Sequence, residues 1–407
     1  MLAKFSSILI FPILDLALII YPLIKLVRYG HNNRLKSLGE YLLKGTVIFA
    51  ISMTIVYGAY YFNTYNMPQD KLPQIMDHYF KPKDNRPINI GARAFLNNIN
   101  QYPVLMPMAD YLFGVARVFQ RVAGGNVTYF LGKVDTHGFM GYFPFVFLIK
   151  TPLATLFLIL ISIWISFGNL IRSFLRPVSH RFSHLAKNSV HFLRLHLAEA
   201  SLFSFVALYA ITSIIGKLNI GFRHLFPMLP FIYILLGVSI FRHIRLEHNK
   251  HKTILKFLIS ITAILLIIET LSSYPYYTSY FNQLAGGPKN GYKLVTDSNA
   301  DWGQDLKRLR IFLDEHPEIS KIKIDYFGMA SLDYYLNGKY EKCWSAMRPI
   351  EPGWYAISAL FLQEGIYDER KTDITSYRWL KDKEPTYQVG TSILVYYISP
   401  EEALLLE

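Results

Sequence analysis

The chain has 407 residues, of which 52% are hydrophobic and 15% aromatic, and its formal net charge at pH 7 is +13. Its single cysteine, Cys343, excludes an intrachain disulfide framework and a cysteine-based metal site. All of the net charge lies in three separate tracts, 25–44, 169–194 and 242–256, a distribution that excludes the continuous cationic face of a nucleic-acid-binding protein.

Six apolar stretches flank these tracts, and each is close to the roughly 20 residues that a membrane-spanning helix needs. They are 5–27, 42–62, 143–167, 195–215, 222–241 and 255–273. The first is too long and too weakly flanked by small residues for a cleaved signal peptide, so it is interpreted as a span. The sequence therefore predicts a polytopic α-helical membrane protein with about six transmembrane helices.

The basic tracts predict the orientation of these spans. They hold 15 basic and two acidic residues, and such tracts stay in the cytoplasm by the positive-inside rule. In a plasma membrane, this places Met1, the loop 63–142, the turn 216–221 and everything after about 273 outside the cytoplasm. We accordingly predict a transmembrane domain over 1–273 and an extracytoplasmic domain over 274–407.

The external loop 63–142 carries an amphipathic pattern. Asp110, Arg117 and Arg121 lie opposite an apolar stripe at helical spacing, formed by Leu105, Met108, Leu112, Val115, Phe119 and Val122. Such a helix is expected to lie flat on the outer leaflet. The alternative is a helix that packs on the external domain.

The region 274–407 is long enough to bury its own core. A helix is predicted over 303–316, and strands are predicted over 321–327, 354–359 and 392–398. Interleaved helices and strands favour a small α/β domain. The aromatic run 273–281 marks its boundary with the membrane.

A cationic motif in the turn before the fifth span is the clearest candidate for a binding site. The segment 217–224 contains Lys217, Asn219, Arg223 and His224 with no acidic residue. Guanidinium and ammonium groups at this depth can hold a lipid phosphate, although snorkelling to headgroups is the alternative for Lys217. Lys150, about two turns inside the third span, is expected to point toward the same phosphate.

Several acids lie on the predicted outer side, where a carboxylate can act as general base on an incoming hydroxyl. Asp135 precedes the third span together with His137, and Glu269 lies near the outer end of the sixth. Three more acids fall within 297–305, namely Asp297, Asp301 and Asp305. Helix capping is the alternative for Asp301. Asp15 and Glu199 lie within spans without an identifiable partner.

Four strings, in this order, resemble the bacterial relatives of protein O-mannosyltransferases and aminoarabinose transferases, polytopic glycosyltransferases of the C-class fold. They are Tyr-Phe-Pro at 142–144 with Leu-Ile-Lys-Thr-Pro at 148–152, Lys-Leu-Asn-Ile-Gly-Phe-Arg-His at 217–224, Tyr-Phe-Asn-Gln-Leu-Ala-Gly-Gly-Pro at 280–288, and Asp-Ser-Asn-Ala-Asp-Trp-Gly-Gln-Asp at 297–305. The resemblance covers roughly 130–310.

The resemblance implies transfer of a sugar from a polyprenyl-phosphate donor to a protein, lipid or glycan hydroxyl on the outer face of the membrane. Lys150, Lys217, Arg223 and His224 would hold the donor phosphate, and Asp135 and Asp301 are the candidate catalytic acids. A divalent cation remains an open alternative for the acids, which specify no metal. Asn219, His137, Glu269, Asp297 and Asp305 are further candidates.

The family's principal base lies in an acidic loop directly after its first span, and here the first span leads into a basic tract instead. We therefore expect this chain to be the C-terminal portion of a longer transferase. The alternative is a non-catalytic membrane protein that binds a lipid-linked sugar or a partner. A transporter would need polar groups throughout the bundle, and the three acids within spans are too sparse for that.

Overall fold

The computed structural model describes residues 34–80, 87–174, 196–246, 249–343, 350–372 and 375–406. The chain divides into two compact units, one of 1–124 with 176–210 and the other of 125–175 with 211–407. The predicted span 5–27, with Asp15, and most of the basic tract 169–194 lie outside the described residues.

The first unit is helical in its described part. Its helices are α1 (Arg34–Thr64), α2 (Lys71–Tyr79), α3 (Pro87–Asn100) and α4 (Met106–Gly124). A small apolar core joins α2, α3 and α4, and it consists of Leu72, Met76, Phe80, Leu96, Ala109 and Phe113. A short 3₁₀ helix, Pro103–Leu105, precedes α4, and the Tyr57 hydroxyl of α1 donates to the carbonyl of Val104 at 2.8 Å.

Helix α4 confirms the predicted helix in the external loop but buries a different face. Its buried residues are Met106, Pro107, Ala109, Tyr111 and Phe113, and they pack within the helical unit. The predicted stripe stays partly uncovered, since Leu105 and Phe119 are exposed. A position on the outer leaflet therefore remains a prediction.

Four helices are long and apolar enough to cross a membrane, within Gly39–Thr64, Leu197–Ile215, Phe222–Arg245 and Lys252–Ser272. They correspond to the predicted spans at 42, 195, 222 and 255. The predicted straight span 143–167 is wrong, because α5 (Tyr142–Lys150) and α6 (Leu153–Phe174) meet at an angle of 113°. If this bent pair crosses as one span, the candidates number five in the described part of the chain.

The remaining long helices are α7 (Leu197–Ile215), α8 (Leu229–Leu246) and α9 (Asn249–Ser272). A 3₁₀ helix, Phe222–Met228, leads directly into α8. In the second unit, α6 packs against both α8 and α9. A hairpin of β1 (Thr128–Phe130) and β2 (Lys133–Asp135) comes before α5.

The C-terminal region contains a five-stranded mixed sheet. In chain order its elements are α10 (Leu306–Glu315), β3 (Ile322–Asp325), α11 (Leu332–Leu336), β4 (Tyr340–Lys342), β5 (Gly353–Ser358), α12 (Ala359–Tyr367), β6 (Tyr387–Val389), β7 (Ile393–Ile398) and α13 (Pro400–Leu406). The strand order is β4-β3-β5-β7-β6, with β3 parallel to β4 and β5, and β7 antiparallel to β5 and β6. The three predicted strands are confirmed as β3, β5 and β7.

The core of this sheet lies under α10, whose Leu306, Leu309 and Leu313 pack against Ile322 and Val395. The predicted helix 303–316 begins later than expected, at Leu306, because Gly303 has a φ of +70° that ends any helical run. The segment before it forms a short 3₁₀ turn, Asp297–Asn299, followed by an irregular stretch to Asp305. This segment reaches the candidate site described next.

Candidate functional site

A cavity of about 470 Å³ lies where the break between α5 and α6, the end of α9 and the 3₁₀ helix 222–228 meet the segment 273–302. Two cations, Lys150 and Arg223, and one carboxylate, Glu269, line it. The other lining residues are Pro152, Phe222, Phe226, Thr270, Ser273, Tyr277, Thr278, Tyr280, Ser298 and Trp302. A mostly apolar wall with a few placed polar groups is typical of a ligand site.

The break between α5 and α6 is encoded locally and then held by a distant side chain. Pro152 disfavours a helical Thr151, which is extended with a ψ of 134°. The Asn282 side-chain amide donates to the carbonyls of Leu148 at 2.7 Å and of Thr151 at 2.8 Å. The backbone N–H of Asn282 donates to the carbonyl of Ile149 at 2.9 Å. Asn282 therefore satisfies the carbonyls that end α5.

Lys150 is the last residue of α5, and only 7% of it is exposed. Its ammonium donates to the carbonyl of Asn299 at 2.6 Å and to that of Thr278 at 3.5 Å, and it lies 4.3 Å from the centre of the Phe281 ring. Within the described residues, no carboxylate forms an ion pair with it. A buried ammonium held only by carbonyls and a ring is costly, so an anionic ligand would stabilise it.

Arg223 approaches the cavity from the 3₁₀ helix 222–228. Its guanidinium stacks on the Trp302 ring at 4.3 Å. The turn before it fits closely, because Gly221 has a φ of +129° and a Cβ there would lie 2.1 Å from the Ser298 hydroxyl. The Asn299 side-chain oxygen accepts from the Phe222 N–H at 2.9 Å. The segment 298–302 thus positions both cations of the cavity.

Glu269, near the end of α9, is 8% exposed. Its Oε1 accepts a short hydrogen bond from the Tyr280 hydroxyl and a longer one, 3.4 Å, from the Leu153 N–H. Burial and the adjacent Glu269 carboxylate raise the pKa of Tyr280, which keeps the phenol protonated as a donor. Since both hydrogen bonds use Oε1, Oε2 accepts none from the part of the chain that the structure describes.

The other residues of the cationic motif do not line this cavity. Lys217 is exposed on the turn 216–221, and His224 is half-buried. Asn219 is fully buried, and its side-chain oxygen accepts from the Phe139 N–H at 2.5 Å. Its carbonyl accepts from the Thr128 hydroxyl at 3.0 Å. These contacts give Asn219 the role of joining the turn to the β1–β2 hairpin.

Asp135 and His137 also lie away from the cavity lining. Asp135 ends β2 with 47% of its side chain exposed, and it accepts a hydrogen bond from the His137 N–H at 2.9 Å. That bond, and the interaction with the His137 ring, hold the pKa of Asp135 below its usual value. A carboxylate with a lowered pKa is a weak base, so this geometry does not favour Asp135 as the general base.

The three acids of the 297–305 segment are separated by the fold, and none lines the cavity. Asp297 has a φ of +55°, and its carboxylate accepts from the Ser298 N–H at 2.5 Å. Asp305 directly precedes α10 and accepts from the N–H groups of Thr391 at 2.8 Å and Ser392 at 2.9 Å. Asp305 therefore fixes the start of α10 to the β6–β7 connection.

Asp301 does not cap α10, because Asp305 occupies the preceding position. Its Oδ1 accepts from the Gly303 N–H at 2.9 Å, and the residue is fully buried. Burial, reinforced by the neighbouring Asp305 charge, raises the pKa of Asp301 to about 7 against the opposing effect of the Gly303 N–H and the Ser392 and Ser358 hydroxyls.

Several residues that build the cavity escaped the sequence interpretation. Asn282 and Trp302 lie within the resemblance strings, but no residue pattern singles out their contacts with α5 and Arg223. Tyr280 was assigned to the membrane interface because of its aromatic neighbours. Its bond to Glu269 spans a bend after α9 that periodicity does not reveal.

In the described residues, no group of three or more histidine, cysteine, aspartate or glutamate side chains has the arrangement to hold a metal ion. Comparisons of this chain with protein families, curated sequences and solved structures find no match. The resemblance to C-class glycosyltransferases therefore rests on the strings at 142–152, 217–224, 280–288 and 297–305.

Proposed function

We propose that this chain is an integral-membrane glycosyltransferase, or part of one, that binds a polyprenyl-phosphate-linked sugar in the cavity lined by Lys150 and Arg223. The sugar would pass to a protein, lipid or glycan hydroxyl on the outer face of the membrane. The observation that carries the proposal is the pair of cations in one largely apolar cavity beside candidate spans.

An anionic ligand is favoured by the setting of the two cations. Lys150 has carbonyl oxygens and a ring around its ammonium, and Arg223 stacks on Trp302. A phosphate would add the charge-assisted hydrogen bonds that both groups are able to donate.

A lipid is favoured by the apolar surface around the cavity. Phe226 and Tyr277, which line it, are 55% and 52% exposed, and Leu271 nearby on α9 is 68% exposed. In a membrane these side chains would face acyl or prenyl chains, which suits a ligand whose phosphate carries a long hydrocarbon tail.

The proposed reaction is a displacement at the sugar's anomeric carbon. The acceptor oxygen forms the new bond, the bond to the phosphate oxygen breaks, and the polyprenyl phosphate leaves with its negative charge. Lys150 and Arg223 would stabilise that charge. The acceptor hydroxyl must lose its proton to a base, and Asp135 and Asp301 do not line the cavity in this structure.

This absence from the lining favours one second candidate, a non-catalytic protein that binds a lipid-linked sugar. That alternative needs the cations and no base. Replacing Asp135, Asp297, Asp301 and Glu269 together would abolish sugar transfer in the first case and leave the biological function intact in the second.

The binding step is tested with the full chain in phosphatidylcholine nanodiscs and a fluorescent undecaprenyl phosphate. We expect Lys150→Ala and Arg223→Ala each to weaken binding by about 1.5–3 kcal/mol, the value of a hydrogen bond to a charged group. Lys307→Ala, which removes an exposed lysine on α10, serves as the matched control and should bind as the unmodified chain does. Unchanged affinity in both cavity variants would remove the phosphate assignment.

A further inference from the structure

Glu269 is an unusual component of a cavity meant for a phosphate, because a carboxylate repels an anion. It is the one acidic side chain that lines the cavity in the described part of the chain. The Glu269 carboxylate forms no ion pair within those described residues, so neither Lys150 nor Arg223 neutralises it by direct contact. A buried carboxylate of this kind costs stability unless a ligand uses it.

Two neutral donors fix the orientation of this carboxylate. The Tyr280 hydroxyl and the Leu153 N–H both donate to Oε1. Leu153 begins α6 immediately after the break, and Tyr280 follows the bend after α9. Glu269 is thus held from two elements, and its Oε2 remains as an acceptor for a ligand.

We propose that Glu269, oriented by Tyr280, binds hydroxyl groups of the sugar on the lipid-linked donor and so distinguishes the sugar-bearing lipid from the bare lipid phosphate. The inference rests on the proposed function, because it assumes that Lys150 and Arg223 hold the phosphate. A carboxylate accepts strong hydrogen bonds from hydroxyls, and the aromatic side chains of Tyr277 and Trp302 in the same lining offer flat apolar surfaces for the ring of the sugar.

The arrangement has a consequence for the catalytic cycle. The substrate carries hydroxyls that satisfy Glu269, whereas the leaving polyprenyl phosphate does not. After transfer, the product leaves the carboxylate facing an anion without compensating hydrogen bonds. Glu269 therefore favours the substrate over the product and assists product release.

The test measures the affinities of undecaprenyl phosphate and of undecaprenyl-phosphate-mannose for the full chain in phosphatidylcholine nanodiscs. The readout is the ratio of the two affinities. We expect the unmodified chain to prefer the mannosyl lipid and Glu269→Gln to reduce this ratio by about tenfold or more, with equal or higher affinity for the bare phosphate. Tyr280→Phe, which removes one donor but keeps the ring and the carboxylate, should reduce the ratio by a smaller factor.

Glu199→Gln is the matched control, since Glu199 is a carboxylate in a candidate span that pairs with His196 and does not line the cavity. Its ratio should equal that of the unmodified chain. An unchanged ratio in both Glu269→Gln and Tyr280→Phe would overturn the sugar assignment while leaving the phosphate site intact. Failure of the unmodified chain to bind either lipid would overturn the phosphate site and the sugar assignment with it.

Discussion

Asp301 and Asp305 are both fully buried at the start of the C-terminal region, yet their carboxylates have different surroundings. Asp305 accepts hydrogen bonds from Thr391 and Ser392 and forms an ion pair with Arg308. Asp301 has one backbone donor, the Gly303 N–H, and lies close to the negative charge of Asp305. The folded protein therefore disfavours the ionised form of Asp301.

The stability of the fold should depend on pH through Asp301. Its folded-state pKa is about 7, above the ordinary value of 3.8, so the unfolded chain loses this proton first as the pH rises. The stability contributed by the protonated group is complete below about pH 4 and is lost as the pH rises to 7. Asp301→Asn keeps the neutral shape and removes this loss.

We expect Asp301→Asn to gain on the order of 2–4 kcal/mol relative to the unmodified chain between pH 4.5 and pH 8. Thermal unfolding of the detergent-solubilised protein at several pH values measures this. Asp305→Asn is the control and should be destabilising across the whole range, because it weakens the bonds to Thr391, Ser392 and Arg308. A constant difference between Asp301→Asn and the unmodified chain would contradict the prediction.

The break between α5 and α6 shows how a single distant side chain determines the shape of an element. The run 143–167 is apolar apart from Lys150, and membrane helices tolerate proline, so composition alone allows a straight span. The structure instead turns by 113°, with Asn282 bound to three consecutive-turn carbonyls, Leu148, Ile149 and Thr151. The bend exposes Lys150 to the segment 278–299.

Asn282→Ala should therefore destabilise the protein by about 2–4 kcal/mol, because it leaves the carbonyls of Leu148 and Thr151 buried without their donor. Thermal unfolding in detergent is the measurement, and undecaprenyl phosphate binding should weaken in parallel because Lys150 adjoins the break. Asn290→Ala removes an exposed amide that bonds to the Gly286 carbonyl and should change stability by less than about 0.5 kcal/mol. Equal stabilities of the two variants would show that Asn282 does not hold the bend.

Elements with a strong local pattern could be predicted from the sequence. The strands β3, β5 and β7 alternate or are rich in β-branched and aromatic residues, and the runs at 42, 195, 222 and 255 have the length and apolarity of spans. The start of α10 was misplaced by three residues because the positive φ of Gly303 is a tertiary requirement, set by the close approach of Tyr326 and Phe327.

The candidate site was predictable only in part for the same reason. Lys150, Arg223 and Glu269 stand out because a charged residue in or beside an apolar run is conspicuous. Their contacts join residues far apart in the chain, such as Lys150 with Asn299 and Arg223 with Trp302, and no periodicity encodes such pairs. Lys217 and His224 have the same local character as Arg223, but the fold does not bring them to the cavity.

At the scale of the whole molecule, the charge distribution defines the orientation that the proposed function needs. The tracts 25–44, 169–194 and 242–256 hold 15 basic and two acidic residues, and the rest of the chain is neutral overall. A sugar donor used on the outer face requires the cavity and the C-terminal region on the side opposite these tracts. The orientation is therefore a separate condition on the proposal.

Single-cysteine labelling tests this orientation directly. Cys343 is buried, and Cys343→Ala supplies a cysteine-free background. We introduce Thr253→Cys in the third basic tract and Glu318→Cys in the C-terminal region, since both positions are exposed and neither change removes a basic residue. In intact cells, a membrane-impermeant maleimide should label the Glu318→Cys chain, and it should label the Thr253→Cys chain only after permeabilisation.

Both chains should be labelled fully in detergent, which confirms that each thiol is reactive. The opposite pattern in intact cells would place Lys150 and Arg223 toward the cytoplasm, because the C-terminal segment that contacts them carries the Glu318 label position. Transfer on the outer face would then be ruled out even if the cavity binds a polyprenyl phosphate. Labelling thus separates the question of which side the reaction occurs on from the question of what the cavity binds.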